Sequence, residues 1–405
     1  MQEQDIARIA GWLAKSGLSG LSEPELLRGF CESCREAGLA VTRALVFIDT
    51  LHPIYEGHAF PWRYDQAVEQ TEIAYRPTNQ GGDAEENWRR TVFFHLWETG
   101  GSELRLRIGD GAPVSYYPVD RLQADGQMDY IAFVHRFAAA GVIGEMDGLF
   151  AHWTTEQAEG FSDSDLAALR RLMPQLSIAI KCASLTRIAG TLVEVYLGRD
   201  AGRRVLGGRI TRGVADRIHA VLWFSDLRGY TTITDTAAPG EIIPLLNDYA
   251  EAVITSVQEA GGDVLKLIGD GTLAIFAAED AAAASIQALQ AEAALRRRIG
   301  ALNEKRRMAA HPVTSVYLGL HIGEVFYGNI GSDDRLDFTV VGPAVNEVSR
   351  IAAMCRSIDR AVLVSENFRT ALPVAARATL VSVGRYALRG IGRAQELFTI
   401  DPELL

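Results

Sequence analysis

No stretch of this 405-residue chain constrains its fold more than AVLWFSD, residues 220–226. An apolar run without polar alternation is buried on both faces, so it predicts a covered central strand with Asp226 at the rim of the sheet. The following turn, LRGYT, offers backbone N–H groups to phosphate oxygens, which makes Gly229, Tyr230 and Thr231 candidate binding positions. Further on, GGDVLKLIGDGTLAIFAAED reads as two strands, 264–268 and 272–276, joined by Gly269-Asp270-Gly271. Lys266 breaks the apolar pattern there, as a lysine at a solvated edge or aimed at a ligand would. Two aspartates at neighbouring strand ends are the oxygen donors that a pair of Mg²⁺ ions takes.

The run RLDFTVVGPAVNEVSRIAAMCR predicts a strand over 335–341, a break at Gly342, and a helix that starts with Pro343 and reaches about residue 356. Asn346 and Arg350 are four residues apart and share one face of that helix, an arrangement suited to a ribose and to charge on phosphorus. An alanine-rich helix is expected over 280–299, with the basic run 296–307 as its solvated end.

The first 160 residues have a different texture. Helical patterns cover IARIAGWLAKSG and SEPELLRGFCESCREAG, the second opened by a capping box of Ser22 and Glu25. Strands are expected over 41–49, 90–97, 103–108 and 148–154, and a helix over 129–140, which together suit helices on a mostly antiparallel sheet. From Ser162 a long helical pattern carries Leu166, Leu169, Leu172, Leu176, Ile180 and Leu185, with Pro174 bending it. It reads as a linker helix or as a parallel dimeric signalling helix. The arginine- and glycine-rich segment 198–213 that follows is left open between a flexible linker and a structured transducer.

A formal net charge of −11 argues against a nucleic-acid partner. Four cysteines form no disulfide framework, and Cys31 and Cys34 lack the second pair that a zinc site requires. His52 and His58 flank one loop without a third ligand. His95, His135, His152 and His321 are expected as satisfied core or edge residues. The N-terminus does not read as a signal peptide, and no run of about 18 uncharged apolar residues predicts a membrane span, so a cytoplasmic location is expected.

In this order FSDLRGYT, KLIGDG, HIGEVFYGNIG, DFTVVGPAVNEVSR and YALRGIG resemble the catalytic domain of class III nucleotidyl cyclases, over about 215–400. The resemblance implies a ferredoxin-like α+β domain that converts a nucleoside triphosphate to a 3′,5′-cyclic monophosphate and pyrophosphate. It implies that Asp226, Asp270 and the Leu227 carbonyl hold two Mg²⁺ or Mn²⁺ ions, that Arg350 stabilises the transition state, and that Asn346 orients the ribose. Arg389 falls where many members have a lysine that contacts the terminal phosphates. Lys266 matches the lysine that donates to adenine N1, and Thr339 the aspartate or threonine that accepts from the 6-amino group, which implies ATP.

Family geometry sets the metal carboxylates of one subunit opposite Lys266, Thr339, Asn346, Arg350 and Arg389 of the other, implying a homodimer with composite sites. Separately, Gly160-Phe161-Ser162 with Leu166, Leu169 and Gln175 resembles the close of a GAF domain. The expected organisation is a GAF-like α/β sensory domain over 1–162 with an unidentified small-molecule ligand, a signalling helix and transducer over 163–214, and an adenylate cyclase domain over 215–405. The alternatives are a guanylate cyclase, disfavoured by Lys266, and a catalytically silent nucleotide-binding or dimerisation module. The silent module would have lost a metal or transition-state residue, and none is lost.

Overall fold

Ser22 and Glu25 cap their helix as the sequence predicts, the Ser22 N–H donating to the Glu25 carboxylate at 2.8 Å. The structure is a computed structural model and describes residues 1–65, 71–79, 81–109, 115–137, 144 and 146–401. It divides into two units, Met1–Leu192 and Val193–Leu405.

The first unit runs α1 (Glu3–Leu18), α2 (Glu23–Glu36), β1 (Arg43–Asp49), β2 (Gly57–Arg63), β3 (Ile73–Tyr75), α3 (Asp83–Arg89), α4 (Val92–Thr99), β4 (Glu103–Arg107), α5 (Val119–Ala124), β5 (Asp129–Arg136) and β6 (Gly148–Thr155). Its sheet is antiparallel throughout, in the order β3-β2-β1-β6-β5-β4. Along β1 the faces alternate: Ala44, Val46 and Ile48 join a core shared with α1 and α2, whereas Phe47 packs on the opposite face with residues of α3 and α4.

Two expectations fail here. The strand expected over 90–97 is instead mostly helix, Val92–Thr99: Thr91 caps it by accepting from the Phe94 N–H at 3.0 Å, and Gly100 ends it in the left-handed region. The aromatic and β-branched run VFFHLW imitates a strand, but its caps decide the outcome. Residues 129–136, expected as helix, are β5, paired on both sides by β4 and β6. A strand buried on both faces loses the period of two and cannot be told from a helix by pattern. The remainder of that expected helix, 138–140, lies outside the described residues.

α6 (Asp163–Leu197) is one helix of 35 residues with Pro174 inside it. Leu166, Leu169, Leu172, Leu176 and Ile180 bury one of its faces in the first unit's core. A second stripe, Ile178, Cys182, Leu185, Ala189, Leu192 and Tyr196, follows four-three spacing; Ile178 is 65% and Tyr196 79% exposed, whereas Leu185 and Leu192 pack partly against the same core. With apolar residues on two faces, α6 is long and apolar enough to cross a membrane by length and composition. Lys181 and Arg187 interrupt it, so it is still no run of about 18 uncharged apolar residues.

The second unit runs α7 (Arg199–Leu206), β7 (Ala215–Leu227), α8 (Tyr230–Thr236), α9 (Pro239–Glu259), β8 (Asp263–Ile268), β9 (Gly271–Ala277), α10 (Ala281–Met308), β10 (Val316–Gly331), β11 (Leu336–Val341), α11 (Pro343–Ile358), β12 (Val362–Ser365), α12 (Glu366–Ala371), α13 (Val374–Arg377), β13 (Leu380–Tyr386) and β14 (Gln395–Ile400). The sheet order is β13-β14-β12-β10-β7-β9-β8, with β11 paired to β10. Strands β7, β8, β9 and β10 with α9 and α10 make a βαββαβ, ferredoxin-like core. Val221 and Trp223 face α9 and α10, and Ala220 and Leu222 face α7 and α11.

The segment left open by sequence is ordered: Arg204 pairs with Asp200 at 2.6 Å and Asp216 at 3.1 Å, and its guanidinium lies 5.1 Å from the Tyr327 ring centre. α10 runs past the expected end at 299, because Arg306 is buried and donates to the Pro312 carbonyl at 2.7 Å and to Asp248. It is not part of a solvated face.

α11 approaches β10 closely at Gly319, where a Cβ would stand 2.7 Å from both the Ala352 nitrogen and the Val348 carbonyl oxygen. Gly319→Val is expected to push α11 outward and to cost about 2–3 kcal/mol. Gly300→Ala, inside α10 with no atom within 4 Å of the new methyl, is expected to stabilise by up to about 1 kcal/mol. Denaturant unfolding of both variants beside the wild type checks the two opposite signs.

Candidate active site

Strand register brings the two aspartates together. β7 pairs with β9 so that Ser225 faces Thr272. Asp226, one residue along, therefore lies beside the β8–β9 turn that carries Asp270. Gly269 turns the chain there with φ +63°, a left-handed conformation that favours glycine. Gly271 follows, where a Cβ would sit 3.1 Å from the Ser225 carbonyl oxygen and 3.7 Å from Asp226 Oδ1, so glycine keeps the space beside the carboxylate open.

The Asp226 carboxyl is within hydrogen-bonding reach of Asp270. Desolvation by the surrounding sheet and helices comes first, and the hydrogen bond and like charge of Asp270 add to it; together they push its pKa up to about 6. The Leu227 N–H and the Arg356 guanidinium work in the other direction. Asp226, Leu227, Asp270, Gly229, Tyr230 and Thr231 line one cavity of about 280 Å³. A second cavity, of about 190 Å³ toward α9, shares both aspartates.

These residues fit a divalent cation. The side-chain donors are hard oxygens, and the pair carries like charge at close range. Among the described residues no three histidine, cysteine or carboxylate side chains gather at one point. Two carboxylates suit Mg²⁺, which keeps waters and takes substrate phosphates instead of an all-protein cage.

The remaining expected site residues stand elsewhere in the unit. Lys266 on β8 is ion-paired with Asp337 on β11. Thr339, two residues on, is on the same face of β11 as Asp337. Asn346 is exposed and Arg350 half-buried on α11, and Arg389 is exposed after β13. None of Lys266, Thr339, Asn346, Arg350 and Arg389 lines either aspartate cavity.

Two residues of this region escaped the sequence reading. Asp337 was legible only as a carboxylate two positions before Thr339. Arg356 reaches the 280 Å³ cavity at the end of Ser349, Ala352, Ala353 and Arg356. That i, i+3, i+4, i+7 stripe of small residues ending in a cation makes room beside the aspartates.

Other candidates fall away from any metal role. The His52 Nδ1 accepts from the Ile54 N–H at 3.1 Å, and His58 pairs with Glu72 at 2.6 Å. Burial pushes the Cys34 thiol up to about 12 and raises Cys31 as well, so both stay protonated.

Residues 215–401 match the family described as adenylate and guanylate cyclase catalytic domain. An adenylate cyclase of Anabaena cylindrica is 33% identical over 159 residues, 38% of this chain and 31% of that protein. Adenylate cyclase 1 of Rhizobium meliloti is 24% identical over 216 residues, 52% of this chain and 32% of that protein. The chain thus spans about a third of the length of these curated relatives. The crystal structure of the adenylyl cyclase CyaB from P. aeruginosa aligns with a TM-score of 0.42 and 23% identity, over 46% of this chain and 96% of that one. Residues 215–401 form a class III adenylate/guanylate cyclase catalytic domain.

A carboxyl whose folded pKa of about 6 exceeds its ordinary 3.8 destabilises the fold where it must ionise. The loss accrues as pH rises from about 4 to about 6 and is complete above that window. In chelator, Asp226→Asn is expected to melt higher than the wild type at about pH 7.5 and to lose that advantage at about pH 4. Excess Mn²⁺ is expected to raise the melting temperature of the wild type alone. Thermal melts at the two pH values, with and without Mn²⁺, check all three signs.

Proposed function

We propose that the chain is an adenylate cyclase that forms 3′,5′-cyclic AMP and pyrophosphate from ATP at composite sites of a homodimer. The observation that carries this reading is the convergence of Asp226 and Asp270 in one cavity with the 229–231 turn, inside a domain matched to the cyclase family. Asp226, Asp270 and the Leu227 carbonyl hold a pair of Mg²⁺ or Mn²⁺ ions. The chemistry these supply when bound is polarisation of the reacting oxygens and neutralisation of the departing pyrophosphate.

The protein's own groups do the rest. Asn346 orients the ribose, Arg350 stabilises charge developing on phosphorus, and Arg389 binds the terminal phosphates with a guanidinium fork. Lys266 donates to adenine N1 and Thr339 accepts from the 6-amino group, with Asp337 holding the ammonium. A pocket of that donor–acceptor sense leaves buried polar groups unpaired against guanine. The separation of Asn346, Arg350 and Arg389 from the aspartate cavity within one chain supports sites shared between two chains. The exposed four-three stripe of α6 supports a parallel helix pair joining them, and through it the first unit, a GAF-like sensory domain in this reading, regulates catalysis.

Incubation with ATP or GTP plus Mg²⁺ or Mn²⁺, followed by product identification, tests the activity. Cyclic AMP is expected, with kcat/KM for GTP lower by about tenfold or more. Cyclic GMP as main product would make the chain a guanylate cyclase, and no product from either would make it a silent module. Asp226→Asn and Arg350→Ala are each expected to lose about 100-fold or more in kcat. A one-to-one mixture should regain about a quarter of wild-type activity, since half the dimers carry one intact site of two. No regain would place each site within one chain.

Cys182 lies on the exposed α6 stripe, so in a parallel pair the two copies of Cys182 face each other within disulfide reach. Mild oxidation of the full chain is expected to give a covalent dimer on non-reducing gels, which Cys182→Ser abolishes. An uncrosslinked wild type would exclude the parallel register.

A further inference from the structure

A cavity in the first unit plays no part in the chemistry above. It measures about 300 Å³, the low end of the range for small-molecule sites, and opens on the sheet face turned away from α1 and α2. Alternation along β1 directs Leu45, Phe47 and Asp49 to it. Its walls are aromatic: Phe47 stacks on Phe150 at 4.7 Å, meets Phe93 edge-on at 4.8 Å, and lies 6.0 Å from Trp88.

Two polar side chains on the cavity wall have no hydrogen-bond partner within the described protein. His152 is 6% and Tyr130 2% exposed, with ring centres 4.9 Å apart. Among the described residues neither the His152 imidazole nor the Tyr130 hydroxyl has a hydrogen-bond partner, contrary to the sequence expectation of a satisfied core histidine. Burial lowers the His152 pKa to about 3, so the ring is neutral and offers one donor and one acceptor. Two polar groups that face one cavity without a partner in the protein leave a donor and acceptors for a bound molecule to engage.

The charge of the lining is one-sided. Asp49 and Glu56 both line the cavity and cluster around Tyr75, whose hydroxyl donates to Asp49 at 2.6 Å. Burial, and then the negative charge of Asp49, Glu56 and Asp147, raises the Tyr75 pKa. No lysine or arginine is among the lining residues, and none occurs in the undescribed segments of the sequence. An anion would meet two carboxylates and no cation there, whereas an ammonium group finds both carboxylates and aromatic faces.

We propose that this cavity is a binding site for a small aromatic amine, its ring seated among Phe47, Trp88 and Phe93, its nitrogen at the Asp49–Glu56 end, and its polar edge bonded to His152 and Tyr130. One or two fused rings fill the volume. Every lining residue lies between 45 and 152, so binding is measurable whatever the second unit turns over.

Calorimetric titration of the full chain with matched pairs tests the assignment: tryptamine against indole-3-acetate, and phenethylamine against phenylacetate. Each amine is expected to bind about tenfold or more tighter than its acid. Glu56→Gln keeps a hydrogen-bonding group opposite Thr78 and is expected to cut that ratio to about threefold or less. Ala59→Phe, which fills the cavity from β2, is expected to abolish amine binding while far-ultraviolet circular dichroism stays native. Acids that bind as tightly as their amines, amines that fail to bind at about 5 mM, or a ratio unchanged by Glu56→Gln would each overturn the proposal. Should Ala59→Phe not fold, the Glu56→Gln ratio decides alone.

Discussion

The antiparallel register of β7 is the constraint on which the second unit rests. Pairing with β10 from Ala215 to Leu227 on one edge and with β9 on the other leaves no freedom in where β7 ends. A slip of one residue would turn Val221 and Trp223 away from α9 and α10 and drive them into the face where Ala220 and Leu222 pack with α7 and α11. The same register that buries those side chains sets Asp226 beside Asp270. Burial of the core therefore holds the two carboxyls together, and the Asp226 pKa is raised first by desolvation and then by Asp270 beside it.

The second unit was largely legible in its sequence because its signals are local and agree with one another. An apolar run, a Gly-Asp-Gly turn and a Gly-Pro break each sit at a strand or helix boundary, and the structure puts β7, β8, β9, β11 and α11 where those signals fall. Asp226 and Asp270 could be singled out because each stands at the end of an element. Asp337 and Arg356 could not, because their importance comes from neighbours distant in sequence: Asp337 pairs with Lys266, and Arg356 shares its cavity with Asp226 and Asp270. Likewise, nothing in its own segment marks Arg306 as buried, since its ion pair is with Asp248 on another helix.

In the first unit the pattern misleads for a physical reason. Its sheet carries helices on both faces, so β5 and β6 are buried at nearly every position and lose the alternation that separates strand from helix. α4 is short and aromatic, and only its caps betray it. The same two-sided burial leaves His152 and Tyr130 on a cavity wall instead of in solvent, a placement that sequence periodicity does not register. α6 is the extreme case: one apolar face is consumed by the core and the other stays partly exposed, at Ile178 and Tyr196, so a single helix shows two apolar stripes and no polar face to mark its orientation.

Metal occupancy between Asp226 and Asp270 tests the central claim most directly. Crystals grown with Mn²⁺ and a non-hydrolysable ATP analogue should show anomalous scattering peaks within about 2–2.5 Å of oxygens of both carboxylates and of the triphosphate. Peaks bound elsewhere, or carboxylates that turn away from the nucleotide in the occupied crystal, would contradict the account.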